Sequence, residues 1–275
     1  MSEYILVTTF NRSGYRKYGK KMLESFVKYW PQDQKIVVYA ENVIIEIKDP
    51  RIEVKNLLEV RHLVDFKFRH NRNLIANGYY PRGAKSKNFK YDAVRFSHKV
   101  FAIYDCIKTV PEGIKHVVWL DADTVTHRQI PEDFLAVNFP RKQKIENTEA
   151  FYRYGIAYLG RTNQHSECGW MIFHLEDPMV KDFWEAFVNH YKTDSIFRLK
   201  EWHDSFVFDE VRLEFEKKGM VNHNITPNFS QGHPFINCIL GDYMDHLKGP
   251  RKDRGRSKHD ERNITTNEVI DWWHK

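Results

Sequence analysis

Two aspartates, Asp121 and Asp123, stand one residue apart at the end of the stretch HVVWLDADTV, residues 116–125. Residues at i and i+2 of an extended chain point the same way, so the two carboxylates share one side. Like charges held close repel, and burying them is costly unless a cation joins them. A divalent metal meets that need. Carboxylate oxygens suit Mg²⁺ or Mn²⁺, and such ions in turn hold substrate phosphates. In open parallel sheets, ligands bind beyond the carboxyl ends of the strands, and this is where the pair stands. An isolated Asp-x-Asp can also be a polar loop that ends a strand, so a second feature has to decide.

That feature lies near the C-terminus, in DHLKGPRKDRG. It contains His246-x-x-Gly249-x-x-Lys252. A neutral imidazole can complete a metal site built on carboxylates, Mn²⁺ being the more tolerant of nitrogen. Glycine lets backbone approach a ligand closely, and a lysine meets a diphosphate as a point charge. The metal set expected from the sequence is therefore Asp121, Asp123 and His246, with Gly249 and Lys252 on the diphosphate.

The elements that must position these residues alternate. YILVTTF, beginning at Tyr4, reads as a strand. Tyr15, Tyr18, Met22, Phe26 and Trp30 then recur at helical steps. KIVVYA and the short RIEV read as strands. A helix is expected from Asp92 to Val110, and HVVWL is the strand before the aspartates. IAYLG, GWMIFHL and FINCIL are expected to be strands of the second half, with helices from Pro178 to Tyr191 and from about Ser205 to Gly219. This alternation predicts an α/β fold with a mostly parallel sheet flanked by helices and an elaborated C-terminal half. No repeat or Gly/Ser-rich linker divides the chain. The expectation is one domain over 1–275, with a nucleotide-binding half at about 1–125 and an acceptor and sugar half at about 126–275.

Composition narrows the class. The 275 residues are 41% hydrophobic, and no apolar run approaches the roughly 20 residues of a membrane helix. The N-terminus lacks a basic n-region, so it reads as a strand and not a signal peptide. Cys106, Cys168 and Cys238 are scattered and odd in number, which fits a reducing cytoplasm. The formal charge is +6, unevenly placed. Residues 61–90 carry eight Lys/Arg against one acid, and residues 248–262 carry seven against three. Tyr79, Tyr80, Phe89 and Tyr91 lie in or beside the first segment. Basic charge with aromatics suggests an anionic partner, a glycan or a nucleic acid.

With these motifs in view, the chain resembles the metal-dependent glycosyltransferases of the GT-A fold. It is most similar to the retaining, glycogenin- and galactosyltransferase-like group. The likeness rests on Asp-x-Asp after a strand, the late His-x-x-Gly-x-x-Lys, VTTFN at the first strand, ECGWMIFHL and WHDSFVFDEV. It implies Mn²⁺ or Mg²⁺ and a nucleotide-diphosphate sugar, UDP being the usual carrier. It implies a nucleoside turn at Thr8, Thr9, Phe10 and Asn11, with Arg95 and Lys99 near the donor. Asp121, Ala122 and Asp123 would form the metal strand end, and Gly169 and Trp170 the sugar pocket. Lys252 would steady the leaving diphosphate, and Asp204, at a helix cap, with Glu167 would act near the sugar. The chain departs from the group's pattern at Glu167, Cys168 and Ser205, and at Asp253 and Arg254 after Lys252. Two other chemistries use part of this set: a metal-dependent nucleotidyltransferase, and a non-catalytic nucleic-acid-binding protein using the basic segments alone.

Overall fold

A computed structural model describes residues 2–144, 147–149, 151–230 and 232–248. Gly249, Lys252 and all of the second basic segment except Lys248 lie outside the described residues. The chain begins with β1 (Tyr4–Asn11), a single turn α1 (Arg12–Gly14), a π-helical turn over Tyr15–Gly19, and α2 (Lys20–Tyr29). β2 (Lys35–Glu41) and β3 (Ile52–Asn56) follow. Two helices come next, α3 (Arg61–His70) and α4 (Ala93–Thr109), and then β4 (His116–Leu120) and β5 (Thr124–Thr126). The second half contains α5 (Phe134–Asn138), a small β6 (Lys142–Lys144) and β7 (Phe151–Arg153) ribbon, β8 (Ile156–Leu159) and β9 (Glu167–His174). It continues with α6 (Pro178–Lys192), α7 (Asp204–Lys217), β10 (His223–Asn224) and β11 (Met244–His246).

Seven strands form one sheet in the order β10-β8-β9-β4-β1-β2-β3. Four of its six neighbouring pairings are parallel, and the two antiparallel ones both involve β9. The α/β class and the mostly parallel sheet expected from the sequence are therefore present. Period-two alternation builds a core on each face. Ile5, Val7, Val117, Trp119, Met171 and Phe173 pack with α3, α4, α6 and α7. Leu6, Val118, Leu120, Trp170 and Ile172 pack with α2, α5 and the segment before β11. β4 is central and buried at all five positions, which is why it reads as an unbroken apolar run.

One expectation needs correction. FINCIL is not a strand: a turn leads into a 3₁₀ segment over Ile239–Asp242, and the late strand is β11. Its apolar residues Phe235, Ile236 and Leu240 are buried as core filler against the sheet, a role that requires no strand ladder. Within the first basic segment, α3 buries Leu63 and Phe66 on one side.

β4 and β9 set a buried histidine pair face to face. His116 and His174 are register partners, with their Nδ1 atoms 2.8 Å apart. Burial pushes His116 down to about 4 and His174 down to about 3. The unfolded chain takes up these protons near pH 6.5, whereas the folded pair resists until far lower pH. Their contribution is therefore complete above pH 6.5 and is lost as pH falls towards 4, by at most about 3 kcal/mol per histidine. Urea unfolding at pH 7.0, 5.5 and 4.5 is expected to show a loss that a His116→Leu/His174→Leu variant largely lacks. Equal slopes for the two proteins would remove this pair as the cause.

Candidate active site

β4 ends in the floor of the site. Asp121 follows its last residue, and the Trp119 indole N–H donates to Asp121 Oδ1 at 2.6 Å. The Asp121 amide is held by the Gly169 carbonyl of β9 at 3.0 Å, and Thr124 N bonds back to the Asp121 carbonyl at 3.0 Å. The turn that follows sends the chain directly into β5.

β5 has an unexpected partner. It pairs antiparallel with β11, His246 opposite Thr124, and Leu247 N donates to the Asp123 carbonyl at 2.9 Å. This two-stranded ribbon delivers the late histidine to the aspartates. His246 Nε2 lies 3.1 Å from Asp123 Oδ1 and 3.4 Å from Asp121 Oδ2, and the imidazole is 1% exposed. One ligand atom from each of the three residues can be chosen so that all lie within 4.8 Å of one another. Two carboxylate oxygens and one imidazole nitrogen are the donor set that Mn²⁺ accepts, so the residues fit such an ion. Burial disfavours charge on His246, but Asp123 and Asp121 outweigh it and push the imidazole up to about 9. Burial likewise works against the Asp121 carboxylate, but Lys99 and His246 hold it well below the usual range.

Gly169 makes room for that imidazole. A Cβ built there would stand 2.6 Å from His246 Cε1 and 2.7 Å from its Nδ1. The ring is also held 5.3 Å from Phe235, so it has little freedom to retreat. Gly169→Ala is expected to cost about 1–3 kcal/mol of stability by overpacking, measured by urea unfolding. An unchanged midpoint would mean that the ring yields freely.

Lys99 lines the first cavity beside the aspartates, and protein partners take up its ammonium. It is 7% exposed, and its ammonium bonds Asp121 Oδ1 at 3.1 Å, Asp204 Oδ2 at 2.8 Å and the Cys168 carbonyl. An ammonium has three N–H donors, and these partners use all of them. Lys99 thus braces the strand end against α7. The same contact explains a departure from the expected cap. The N-cap of α7 is His203, whose Nδ1 accepts from Phe206 N at 3.4 Å, while Asp204 is the first helical residue and turns to Lys99.

Two cavities meet at the aspartates. The first, of about 410 Å³, is lined by Thr9, Phe10, Asn11, Ala122 and the C-terminal ends of β1, β2 and β4. The second, of about 800 Å³, is lined by Phe89, Lys90, Arg161, His165, Glu167 and Lys248 among others. Both are lined by Asp121, Asp123, Asp204, Arg95 and Phe96. Arg95 is exposed and makes no ion pair among the described residues; its guanidinium lies 5.8 Å from the Phe96 ring centre. Thr9 Oγ1 donates to the Tyr39 carbonyl at 2.7 Å, and Asn11 caps α1. Thr8 and Trp170 face the core instead: both are fully buried, and neither lines either of these two cavities.

Several residues escaped the sequence reading. Glu41 ends β2 at the first cavity, bonded to Lys67 and 3.3 Å from His98. Those contacts outweigh its burial, His98 most of all, and hold the carboxyl down at about 2. Its place after an apolar strand, like that of Asp121, was a usable signal. Tyr18 reaches the same cavity from the π-helical turn, a feature that clusters at functional sites. Glu167, which the sequence reading did name, starts β9; it is bonded by Arg161 and Lys248, which that reading missed, and lies 3.6 Å from His233. Burial works against the Glu167 charge, but Lys248, His233, His246 and Arg161 together hold the carboxyl far below its usual range. His233 and Arg161 sit in irregular chain, and nothing in their spacing announced them.

The first basic segment is less cationic than its sequence. Lys67, Arg69, Lys87 and Lys90 pair with Glu41, Asp194, Asp92 and Glu201, all outside 61–90. With those four acids counted, the excess of +7 over residues 61–90 falls to +3. A run of positive residues that is neutralised in space gives little purchase on a polyanion. Among the described residues no helix is long and apolar enough to cross a membrane.

No protein-family profile matches the chain, and no curated protein matches it in sequence. Among solved structures it is similar to mouse xyloside xylosyltransferase 1 in its apo form, at 11% identity and a TM-score of 0.44, over 80% of this chain and 84% of that one. It is similar at the same identity and score to the apo bifunctional glycosyltransferase WbbM, over 76% of this chain but only 37% of the WbbM chain. Likenesses at that level do not bear on activity, so the chemistry has to be read from the side chains of this one.

Proposed function

We propose that the protein is a metal-dependent glycosyltransferase that moves a sugar from a nucleotide-diphosphate donor to an acceptor hydroxyl. One observation carries this reading. A histidine 123 residues downstream of Asp123 is folded onto the aspartate pair, at the meeting point of two cavities. Asp121, Asp123 and His246 would hold Mn²⁺ or Mg²⁺, which supplies charge neutralisation for the departing diphosphate. The first cavity takes the nucleoside, against Thr9, Phe10 and Asn11. Arg95 makes no ion pair among the described residues and lines both cavities, a place from which it can meet a phosphate in bidentate fashion. Gly249 and Lys252 lie outside the described residues, and their role on the diphosphate follows from the resemblance alone. Asp204 accepts a hydrogen bond from a sugar hydroxyl with Oδ1, the oxygen that Lys99 leaves, which also accepts the Ser205 amide at 2.9 Å. The second cavity, with Phe89, Lys90 and His165 on its walls, takes the acceptor, a glycan hydroxyl. UDP-hexose as donor and retention of configuration follow from the resemblance alone.

The test is a panel of nucleotide sugars with Mn²⁺, read by thermal stabilisation and by donor hydrolysis. A true donor at 100 times its Kd raises stability by about 2.7 kcal/mol, and EDTA is expected to abolish both signals. A chain that no nucleoside diphosphate stabilises, with or without metal, has no donor site of this kind.

A further inference from the structure

His246 has two faces, and the proposed function uses only one. Its Nε2 points to Asp121 and Asp123, while its Nδ1 points to Glu167 Oε1 at 3.6 Å. No hydrogen bond reaches that Nδ1 within 3.5 Å, although the side chain is 1% exposed. An imidazole that binds a metal through Nε2 must carry its proton on Nδ1, and in a buried site that proton needs an acceptor. Glu167 is the acid on that side, itself 3% exposed.

Glu167 is built to stay where it is. Its Oε1 accepts the Gly169 amide at 3.1 Å, and its Oε2 is bonded by Arg161 and Lys248. Gly169 therefore does two things: its missing side chain leaves room for the ring, and its N–H aims the carboxylate at it. Glu167, His233 and His246 are also close enough to hold a second ion. Two cations already bonded to Glu167 oppose further positive charge there, so a positioning role is the better account.

Resting on the metal-site reading above, we infer that Glu167 is a positioning residue, which fixes the His246 tautomer and ring orientation through Nδ1 and so sets metal affinity.

The experiment is a double-mutant cycle on the full chain, with Mn²⁺ alone as probe and free Mn²⁺ read by electron paramagnetic resonance. Glu167→Gln is expected to weaken Mn²⁺ binding by about 10–100-fold. In a His246→Gln background the same change is expected to alter affinity by less than about 2-fold, because its route to the metal is gone. Equal losses in both backgrounds, or no loss in either, overturn the inference. Should Glu167→Gln fail to fold, Glu167→Asp keeps the charge but withdraws it from the ring, and wild-type affinity in that variant overturns it as well. A wild-type chain that binds no Mn²⁺ refutes the metal site itself, a result distinct from a wild type that binds and a variant that binds equally well.

Discussion

Asp123→Asn is expected to lower the proposed sugar transfer by about 10³-fold or more while leaving the fold in place. Asparagine keeps the shape of the side chain but removes one of two negative oxygen donors. The diphosphate leaving group then departs without the full counter-charge, a stabilisation worth several kcal/mol in sites of this type. His246 keeps Asp121 and Glu167 as neighbouring carboxylates at 3.4 and 3.6 Å, so removing the partner at 3.1 Å does not strand it. The measurement is kcat with the best donor at saturating Mn²⁺, beside a urea melt and a Mn²⁺ titration of the same preparation. A variant that turns over at the wild-type rate would end the metal-dependent reading. A variant that melts early would show that the charge holds the ribbon between β5 and β11 together.

Lys99→Met is the largest stability effect expected. Its ammonium is the cation between Asp121 and Asp204, and it lies 4.9 Å from the Trp119 ring. Methionine fills most of the same volume but leaves two carboxylates facing each other in a largely buried place. Removing one partner from a buried ionic group costs about 3–5 kcal/mol, because the charges left behind are uncompensated. The sign with pH follows from Asp121. Lys99 and His246 depress its carboxyl despite burial, so its contribution is present at neutral pH and is lost on acidification. The penalty of Lys99→Met should therefore shrink below about pH 4: the unfolded chain and the variant, which lacks the cation, take up the proton there, while the wild-type site still resists it. Urea unfolding at pH 7.5 and pH 3.5 checks both statements. A variant as stable as the wild type at pH 7.5 would mean that solvent, and not Lys99, compensates the pair.

The site was legible where chemistry and strand pattern coincide. An apolar run that stops at two carboxylates can be read directly, because a buried strand leaves few reasons for charge at its end. The alternation of strand and helix placed that end beyond the carboxyl end of a sheet strand, where ligands bind. Legibility failed where a side chain's partner is far away in sequence. Lys99 reads as a cation on a helix face, yet all its donors are spent on Asp121, Asp204 and the Cys168 carbonyl. The eight cations of 61–90 read as a patch, yet four are paired with acids from other elements. FINCIL reads as a strand because burial selects the same residues in a buried turn.

By itself the sequence determined the α/β class, the mostly parallel sheet and the position of the aspartates, since hydrophobic periodicity and turn residues act over a few positions. Tertiary structure alone decided that β11 pairs with β5, that Gly169 leaves space for an imidazole, and that Glu167 stands behind it. Those facts depend on contacts between residues tens to more than a hundred positions apart. No local pattern encodes them, because the energy that selects them comes from packing and charge pairing in the assembled core.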